Sequence, residues 1–244
     1  MCIDEFQDLS TRPEIFKAIT SLLDGSTRPA KVALAADDDQ QINTNGTFVN
    51  SFRFLEENSF PFVHVGLNTN CRQAPRLTAA INRLLNRRAT TTRHLIAKTW
   101  DATLEVISTS AEQQQKHLYR VLKRLLRSYK PNDIRVLSPF GERSSVLGRL
   151  TRSDVFESDE VLNLKRLTAF PDSGGEIRWR SIPKFKGLEN DVIVVTDISS
   201  ESADWLSGHG QSLERNLYVG LSRARFHAVL LVQDNLYPAT HNVD

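Results

Sequence analysis

Cysteine is scarce in this chain: Cys2 and Cys71 are the only two among 244 residues, too few for a disulfide framework. No apolar run approaches the ~20 residues that a membrane-spanning helix needs, and the first residues are acidic rather than signal-like. The net charge is only +2, from 31 basic and 29 acidic groups, so no overall field indicates nucleic acid. The composition therefore predicts a soluble, cytoplasmic protein without a membrane partner.

The six histidines are scattered, and none has the spacing from a cysteine that a zinc site requires. Short apolar runs alternate with amphipathic stretches along the rest of the chain. The predicted strands cover residues 1–3, 31–36, 62–67, 104–107, 134–138, 177–182, 192–196 and 228–232. The predicted helices cover residues 11–24, 48–57, 112–129, 142–150 and 213–223, with one more carrying Leu77, Ile81, Leu84 and Leu85. This alternation predicts an α/β fold with a parallel sheet and right-handed crossovers.

The clearest predicted helix, residues 112–129, has one apolar and one basic face. The apolar positions are Leu118, Val121, Leu122, Leu125, Leu126 and Tyr129. The basic positions are Lys116, Arg120, Lys123, Arg124 and Arg127. We expect the basic face to be solvated; the alternative is a surface that follows the phosphates of a nucleic acid.

Two adjacent carboxylates, Asp4 and Glu5, directly follow the first short apolar run. One carboxylate at such a place can hold Mg²⁺, which takes only one or two protein carboxylates together with waters and substrate phosphates. The other can orient or deprotonate an attacking water. The alternative interpretation of the pair is an acidic turn after a strand.

Further polar clusters follow or separate the predicted strands, and ligands of open α/β sheets bind at the carboxyl ends of strands. Gln40, Arg72 and Arg223 suit phosphate oxygens, and Lys186-Gly187 would let backbone approach an anion closely. Together with a metal and a poised carboxylate, these are the parts of phosphoryl transfer from a nucleoside triphosphate. Alternatively, the two arginines lie on helix surfaces and Gln40 caps the helix that follows.

Five motifs occur in a fixed order: DEFQD, ADDDQQIN, LNTNCRQ, FKGLENDVIVV and NLYVGLSRAR. They resemble the successive motifs of superfamily 1 DNA helicases of the UvrD/Rep/PcrA type, and the resemblance covers nearly the whole chain. It implies RecA-like parallel sheets of the P-loop NTPase type, one partial and one complete. Residues 1–61 would be the rear part of the first RecA-like domain, and residues 62–244 the second domain. It also implies ATP and Mg²⁺ as cofactors and single-stranded or partly duplex DNA as partner.

The resemblance implies a role for each matching residue. Asp4 would bind Mg²⁺, Glu5 would activate the hydrolytic water, and Gln40 would sense the γ-phosphate. Arg72 and Arg223 would act as arginine fingers. In the remaining positions, Glu189 would contact the nucleotide sugar, Lys186 and Gly187 would place its loop, and Ser181 would touch the DNA backbone. For Ser181 an ordinary strand position is an equal alternative.

The chain lacks G-x-x-x-x-G-K-S/T, the loop that cradles the phosphates and that the family carries upstream of DEFQD. We therefore expect the carboxy-terminal portion of a helicase, inactive unless a separate polypeptide or upstream segment supplies the Walker A half. Cys71 replaces a tyrosine that stacks on adenine, Asn43 an aromatic residue and Pro183 a histidine. These departures leave two alternatives: a non-catalytic DNA- or protein-binding module, and a degenerate remnant without a stable fold.

Overall fold

The computed structural model describes residues 2–9, 12, 14–15, 17–18, 21, 32–42, 50–58, 61–91, 93–96, 102–152, 164–166 and 176–238. The chain forms two compact units. Unit 1 comprises Met1–Leu67 and Trp205–Arg215, and unit 2 comprises Asn68–Asp204 and Asn216–Asp244. Among the described helices, none combines the length and the apolar character that crossing a bilayer requires.

Unit 1 contains a pair of short parallel strands, β1 (Cys2–Ile3) and β2 (Ala33–Leu34). Backbone hydrogen bonds continue the ladder beyond the strands, from Ala35 N to Ile3 O and from Phe6 N to Ala35 O, each 2.9 Å long. Helices α1 (Phe6–Leu9) and α2 (Ser51–Glu57) follow the two strands. In the predicted helix 11–24, residues 14, 15, 17, 18 and 21 are helical, residue 12 is not, and the others lie outside the described residues.

The described residues of unit 1 include one small apolar cluster. Phe6 of α1 and Leu55 of α2 are buried, and Ile3, Leu34 and Phe54 pack against them. Strand 31–36 is predicted to be buried on both faces, but the structure exposes Ala33 and Ala36. That prediction is wrong because, in the described part of the chain, β2 pairs with a single strand and so lies at the edge of its sheet, whereas strands buried on both faces lie within covered parallel sheets.

The predicted strand 62–67 is also wrong, because residues 61–68 form no strand, helix or turn in the structure. The sequence pattern is apolar and β-branched, which is typical of a strand. A strand is defined by its partner, however, and no described segment pairs with these residues.

In its described residues, unit 2 is built on a six-stranded sheet in which every pairing is parallel. Its strands are β5 (Thr103–Ser108), β6 (Ile134–Ser138), β7 (Leu164–Arg166), β8 (Ile177–Ser181), β9 (Asn190–Ile198) and β10 (Ala224–Val232), in the order β5-β10-β9-β6-β8-β7. A separate parallel pair joins β3 (Thr69–Asn70) to β4 (Arg93–His94). The predicted α/β class with a parallel sheet is thereby confirmed.

Helices alternate along the chain with the strands of this sheet. They are α3 (Pro75–Leu84), α4 (Gln114–Leu125), α5 (Val146–Arg152), α6 (Ile182–Phe185), α7 (Ser200–Gly208) and α8 (Leu213–Leu221). Helix α4 confirms the predicted two-sided pattern, because Leu118, Val121, Leu122 and Leu125 are buried whereas its basic residues are exposed.

The core of unit 2 lies where these helices cover the sheet. All five residues of β6 are buried, as are the central residues of β9 and β10. The apolar cluster includes Ile107, Leu122, Val136, Trp179 and Val194. Continuous apolar strands are the expected pattern for a parallel sheet buried on both faces.

Candidate functional site

The carboxyl ends of β1 and β2 lie side by side, because the strands are parallel and Ile3 is in register with Leu34. Asp4 and Glu5 follow β1, and the turn Asp38–Gln40 follows β2 after a short extension. The structure therefore brings the predicted metal and water residues to the same edge as the predicted phosphate sensor Gln40.

Glu5 has a backbone conformation that is unusual for a residue with a side chain. Its φ of 53° lies in the left-handed region, which typically costs a non-glycine residue about 1–3 kcal/mol. Two hydrogen bonds hold it there: Glu5 N donates to Asp4 Oδ1 at 2.8 Å, and Asp8 N donates to Glu5 O at 2.9 Å. The chain thus turns sharply from β1 into α1 at a predicted catalytic residue.

Gln7 connects the two loops. Its side-chain nitrogen donates to Glu5 Oε2, and its side-chain oxygen accepts from Asp37 N at 3.1 Å. Its backbone carbonyl accepts from Gln41 Nε2 at 2.6 Å. Gln7 is only 1% exposed, so these hydrogen bonds are shielded from water and fix Glu5 relative to the second loop.

Gln40 is held within the second loop by Asp37. Gln40 Nε2 donates to Asp37 Oδ2 at 2.7 Å, while Asp37 Oδ1 accepts from Asp39 N at 3.1 Å. The alternative that Gln40 caps the next helix is wrong, because Asn50 caps α2 by accepting from Arg53 N. Glu5, Gln7, Asp37 and Gln40 therefore form one continuous chain of hydrogen bonds.

The donor atoms at this edge fit a hard cation such as Mg²⁺. The Asp4 side chain is exposed at the strand end, and its oxygens are the ligand type that Mg²⁺ prefers. Within the described residues, no group of three or more His, Cys, Asp or Glu side chains is placed to hold a metal. Mg²⁺ usually takes one or two carboxylates plus phosphates and waters, so Asp4 suits it as such a partial ligand.

Unit 2 brings together two predicted nucleotide residues that are far apart in the sequence. Arg72 Nε donates to Glu189 Oε2 at 2.7 Å. The segment around Arg72 is fixed to the start of β10, because Gln73 Nε2 donates to Leu221 O at 3.3 Å and to Ala224 O at 3.1 Å. Ala74 N also donates to Arg225 O at 3.1 Å.

Glu189 lies in a cluster of alternating charges. Arg225 Nη1 is 3.4 Å from Asp191 Oδ1, and Arg225 Nε is 4.0 Å from Glu189 Oε1. Burial raises the pKa of the Asp191 carboxyl, the Arg225 charge opposes that rise, and Asp133 and Glu189 add to it. Arg72 and Arg225 balance Glu189 and Asp191, so these four side chains form a neutral cluster.

This cluster lies near the amino ends of β9 and β10, since Glu189 directly precedes β9 and Arg225 is the second residue of β10. The sequence predicts polar clusters at the carboxyl ends of strands. The cluster of unit 1 lies at such an end, whereas Glu189 lies at the amino end of a strand. Lys186 ends α6, and Gly187 has a φ of 82°, a left-handed conformation that explains the glycine. A Cβ at Gly187 would meet no heavy atom within 4 Å, so the conformation and not the space requires it.

Arg223, the second predicted arginine finger, is only 2% exposed. Its Nε donates to Val219 O at 3.0 Å and one terminal nitrogen donates to Ser222 Oγ at 3.0 Å. In this arrangement the Arg223 guanidinium donates hydrogen bonds to acceptors at the carboxyl end of α8. To reach a phosphate, its side chain would have to leave these acceptors.

The carboxyl edge of the main sheet holds a buried polar network instead of the predicted cations. Asp197 Oδ2 accepts from Ser138 Oγ and Ser145 Oγ, both at 2.6 Å, and Oδ1 accepts from Gln114 Nε2 at 3.0 Å. Ser181, the predicted DNA contact, ends β8 in register with Ser138 and is 9% exposed. Its role at DNA stays a prediction.

Sequence reasoning missed Gln7, Asp37 and Arg225 as members of these clusters. Each lies within a quoted motif, which makes it a candidate site residue, but its hydrogen-bond partners follow only from the tertiary structure. Cys71 is exposed, with its Sγ 3.7 Å from Thr69 O, so no aromatic ring occupies this position. Pro183 lies in the first turn of α6, and Asn43 lies outside the described residues.

Comparison with models of known protein families finds no match for this chain, and comparison with curated proteins finds none either.

Proposed function

We propose that this chain is the carboxy-terminal part of an ATP-dependent DNA helicase or translocase with RecA-like units. The observation that carries the proposal is the fixed arrangement of Glu5, Gln7, Asp37 and Gln40 at the carboxyl ends of two parallel strands. A half-buried carboxylate in a constrained backbone conformation, joined to a glutamine on the neighbouring loop, suits the activation of water next to a phosphate. The motif order supports the same assignment.

In this proposal, Asp4 holds Mg²⁺ and Glu5 orients the attacking water and accepts its proton. Mg²⁺, when bound, neutralises charge on the phosphate oxygens. Gln40, fixed by Asp37, is placed to report the state of the terminal phosphate. Gln7 keeps Glu5 in position by occupying one carboxylate oxygen.

In unit 2, Arg72 is the stronger candidate for a phosphate-reading cation. Glu189 engages its Nε, which leaves the terminal guanidinium nitrogens suited to phosphate oxygens. Arg223 is buried against its own helix and is the weaker candidate. Lys186 and Gly187 contribute a half-buried cation and a glycine turn next to Glu189.

The test is DNA-stimulated ATP hydrolysis by the chain co-expressed with a polypeptide that carries a G-x-x-x-x-G-K-S/T loop of the same family. We expect hydrolysis that depends on single-stranded DNA. Glu5→Gln should lower kcat by ~10²–10⁴-fold, and Arg72→Ala by ~10³-fold or more. Arg53→Ala is the matched control, because Arg53 is an exposed arginine paired only locally with Glu57.

Failure of the assembled protein to hydrolyse ATP with DNA present would refute the proposal. So would a Glu5→Gln variant with an unchanged kcat, or an Arg53→Ala variant as impaired as Arg72→Ala.

A non-catalytic DNA-binding module is the second candidate, favoured by the exposed Cys71 where the family stacks an aromatic ring on adenine. It predicts binding of a single-stranded oligonucleotide that Glu5→Gln and Arg72→Ala leave unchanged, without hydrolysis in any assembly. Fluorescence anisotropy with a labelled oligothymidine separates the two candidates.

A further inference from the structure

Helix α4 carries a line of exposed basic side chains, called here the basic stripe, which consists of Lys116, Arg120, Lys123 and Arg127. The first three occupy positions i, i+4 and i+7, which lie on one face of a helix. Arg127 continues the line in the turn after α4, where Arg127 N donates to Arg124 O at 3.1 Å. At 1.5 Å per residue, the stripe extends for about 16 Å.

The basic stripe concentrates positive charge in a chain that is nearly neutral overall. Residues 113–132 contain six Lys and Arg side chains and no Asp or Glu, whereas the whole chain has 31 basic and 29 acidic groups. Glu105 of β5 pairs with Arg124, which lies beside the stripe. That pair neutralises one of the six charges and leaves the stripe itself positively charged.

In the described part of the chain, Lys116, Arg120 and Arg127 of the stripe form no ion pair. Such a line of charge lowers the stability of the helix, because like charges one turn apart repel each other. Lys116 also lies in the first turn of α4, where the helix dipole disfavours a cation. Burial lowers the pKa of the His117 imidazole, and the charges of Arg120 and Lys116 lower it further. The stability of the helix therefore does not explain the stripe.

We propose that the basic stripe is a docking surface for the phosphate backbone of a nucleic-acid duplex. Each strand of a duplex presents one negative charge per nucleotide in an unbroken line, which complements a line of cations. Sites for single strands combine basic side chains with aromatic rings on which the bases stack. Residues 113–130 contain no exposed aromatic ring, since Tyr119 and Tyr129 are half-buried and His117 is buried. The stripe therefore suits the backbone of a duplex rather than unpaired bases.

A membrane surface fits the stripe less well. The apolar side chains of α4, among them Leu118, Val121 and Leu122, are buried in the core of unit 2. They cannot enter the lipid, and burial of its apolar face in the lipid is what holds an amphipathic helix at a bilayer surface. A nucleic-acid duplex requires only the exposed basic face.

The stripe lies in the same unit as the predicted DNA contact Ser181 but on a different element. Gln114, in the first turn of α4, donates to Thr196 Oγ1 at 2.7 Å, which fixes this end of the helix near the carboxyl end of β9. Because β9, β6 and β8 are parallel, the stripe begins at the sheet edge where Ser181 lies. The inference extends the proposed function by a second nucleic-acid contact, and this contact requires neither ATP nor the Walker A half.

Fluorescence anisotropy of the whole chain with a short labelled DNA duplex, without nucleotide and over a range of NaCl concentrations, tests the proposal. The wild type should bind with an affinity that falls steeply as salt rises, because phosphate contacts release counterions. The double variant Arg120→Gln, Arg127→Gln should bind ~10-fold or more weakly at low salt. Its plot of log affinity against log salt should be shallower by about 2, since each lost phosphate contact removes about 0.9 from the slope.

The double variant Arg83→Gln, Arg88→Gln is the matched control. Both arginines are exposed in unit 2, on α3 or shortly after it, and the control changes the net charge by the same amount. We expect it to bind the duplex as the wild type does. Thermal unfolding followed by circular dichroism checks that both double variants are folded. The stripe variant should be at least as stable as the wild type, because it removes repulsion between like charges.

Three results would overturn the proposal. The first is a wild type that does not bind the duplex at low salt. The second is an equal loss of binding in both double variants, which would show that only the net charge matters. The third is displacement of the duplex by polyglutamate at equal charge concentration, which would make an acidic protein the occupant. DNA-stimulated ATP hydrolysis by the assembled protein is measured separately, so failure of the stripe and failure of the proposed function are distinguishable.

Discussion

In unit 1 the parallel strands β1 and β2 expose Cys2 and Ala33, whereas in unit 2 every residue of β6 is buried. In the described part of unit 1, Phe6 and Leu55 form an apolar cluster with a few half-buried neighbours, while unit 2 packs a Trp-containing cluster on its sheet. The same strand type is therefore stabilised by apolar packing in unit 2. In unit 1, hydrogen bonds of Gln7 and Asp37 hold together the two loops that follow the strands.

The two units also differ in how the residues of their candidate sites are held in place. The residues proposed to handle water and metal lie in unit 1, where a polar network fixes them. In unit 2 the polar cluster of Arg72, Glu189, Asp191 and Arg225 is half-exposed and lies on a well-packed scaffold. Changes to the two cores and to the polar pairs should therefore have effects of very different size.

The largest expected effect comes from the two cores. Trp179→Ala should lower the free energy of unfolding of unit 2 by ~3–5 kcal/mol, because a fully buried side chain leaves a cavity. Phe6→Ala should cost about 3 kcal/mol, the low end of the same range, since the neighbours described around Phe6 include half-buried side chains. Urea denaturation measures the first loss, and amide hydrogen exchange assigns each loss to a unit.

Phe52→Ala is the control for Phe6→Ala, because Phe52 lies in the same unit but is 37% exposed. If Phe6→Ala reduced amide protection in unit 2 as much as in unit 1, the contrast between two separately stabilised cores would be wrong.

An intermediate effect is expected from Glu105, which joins β5 to β10 and α4. Burial alone would raise its pKa, but hydrogen bonds from His227 and Arg124 and their charges lower it from 4.5 to about 2. Because the folded pKa lies below the unfolded one, the stabilisation is present above pH 4.5 and is lost as the pH falls towards 2. At neutral pH, Glu105→Gln should cost ~1–3 kcal/mol.

Urea denaturation across this pH range measures the effect. The wild type should lose stability between about pH 4.5 and 2 more steeply than Glu105→Gln does. Glu112→Gln, which removes an exposed carboxylate of the same unit, should follow the wild-type curve. Parallel curves for wild type and Glu105→Gln would show that this carboxylate does not stabilise the sheet.

The smallest effect is expected at the predicted nucleotide site of unit 2. Arg72 and Glu189 have side chains that are 34% and 45% exposed, and ion pairs at that exposure contribute ~0.2–1 kcal/mol. Glu189→Gln should therefore lower stability by less than ~1 kcal/mol, and high salt should remove the difference. Denaturation at low and high NaCl concentration measures this. A larger, salt-independent loss would mean that the pair supports the fold rather than a ligand.

Much of the fold of unit 2 could be predicted because its strands are apolar runs long enough to be recognised, as at 134–138 and 192–196. The short strands β4 and β7 could not, since two or three residues carry no periodicity and depend on their partners. Segment 62–67 shows the reverse case: a strand-like pattern forms no strand where no described partner exists.

The candidate site was predictable where a topological rule applies. Asp4, Glu5 and Gln40 come together because parallel strands end at one edge. The hydrogen bonds of the Gln7 and Gln73 side chains were not predictable, because each joins residues that only the tertiary structure brings together. Likewise, residue type alone does not reveal that Arg223 is buried and donates to Val219 O.

The position of β10 also constrains how the protein is made. This late strand of the chain lies inside the sheet, with β5 on one side and β9 on the other. A nascent chain must therefore carry the apolar residues of β5, such as Val106 and Ile107, without their sheet neighbour until residues 224–232 have left the ribosome. Pairings of such high sequence separation form slowly. We expect unit 2 to fold only after its synthesis is nearly finished, and to rely on chaperones in the interval.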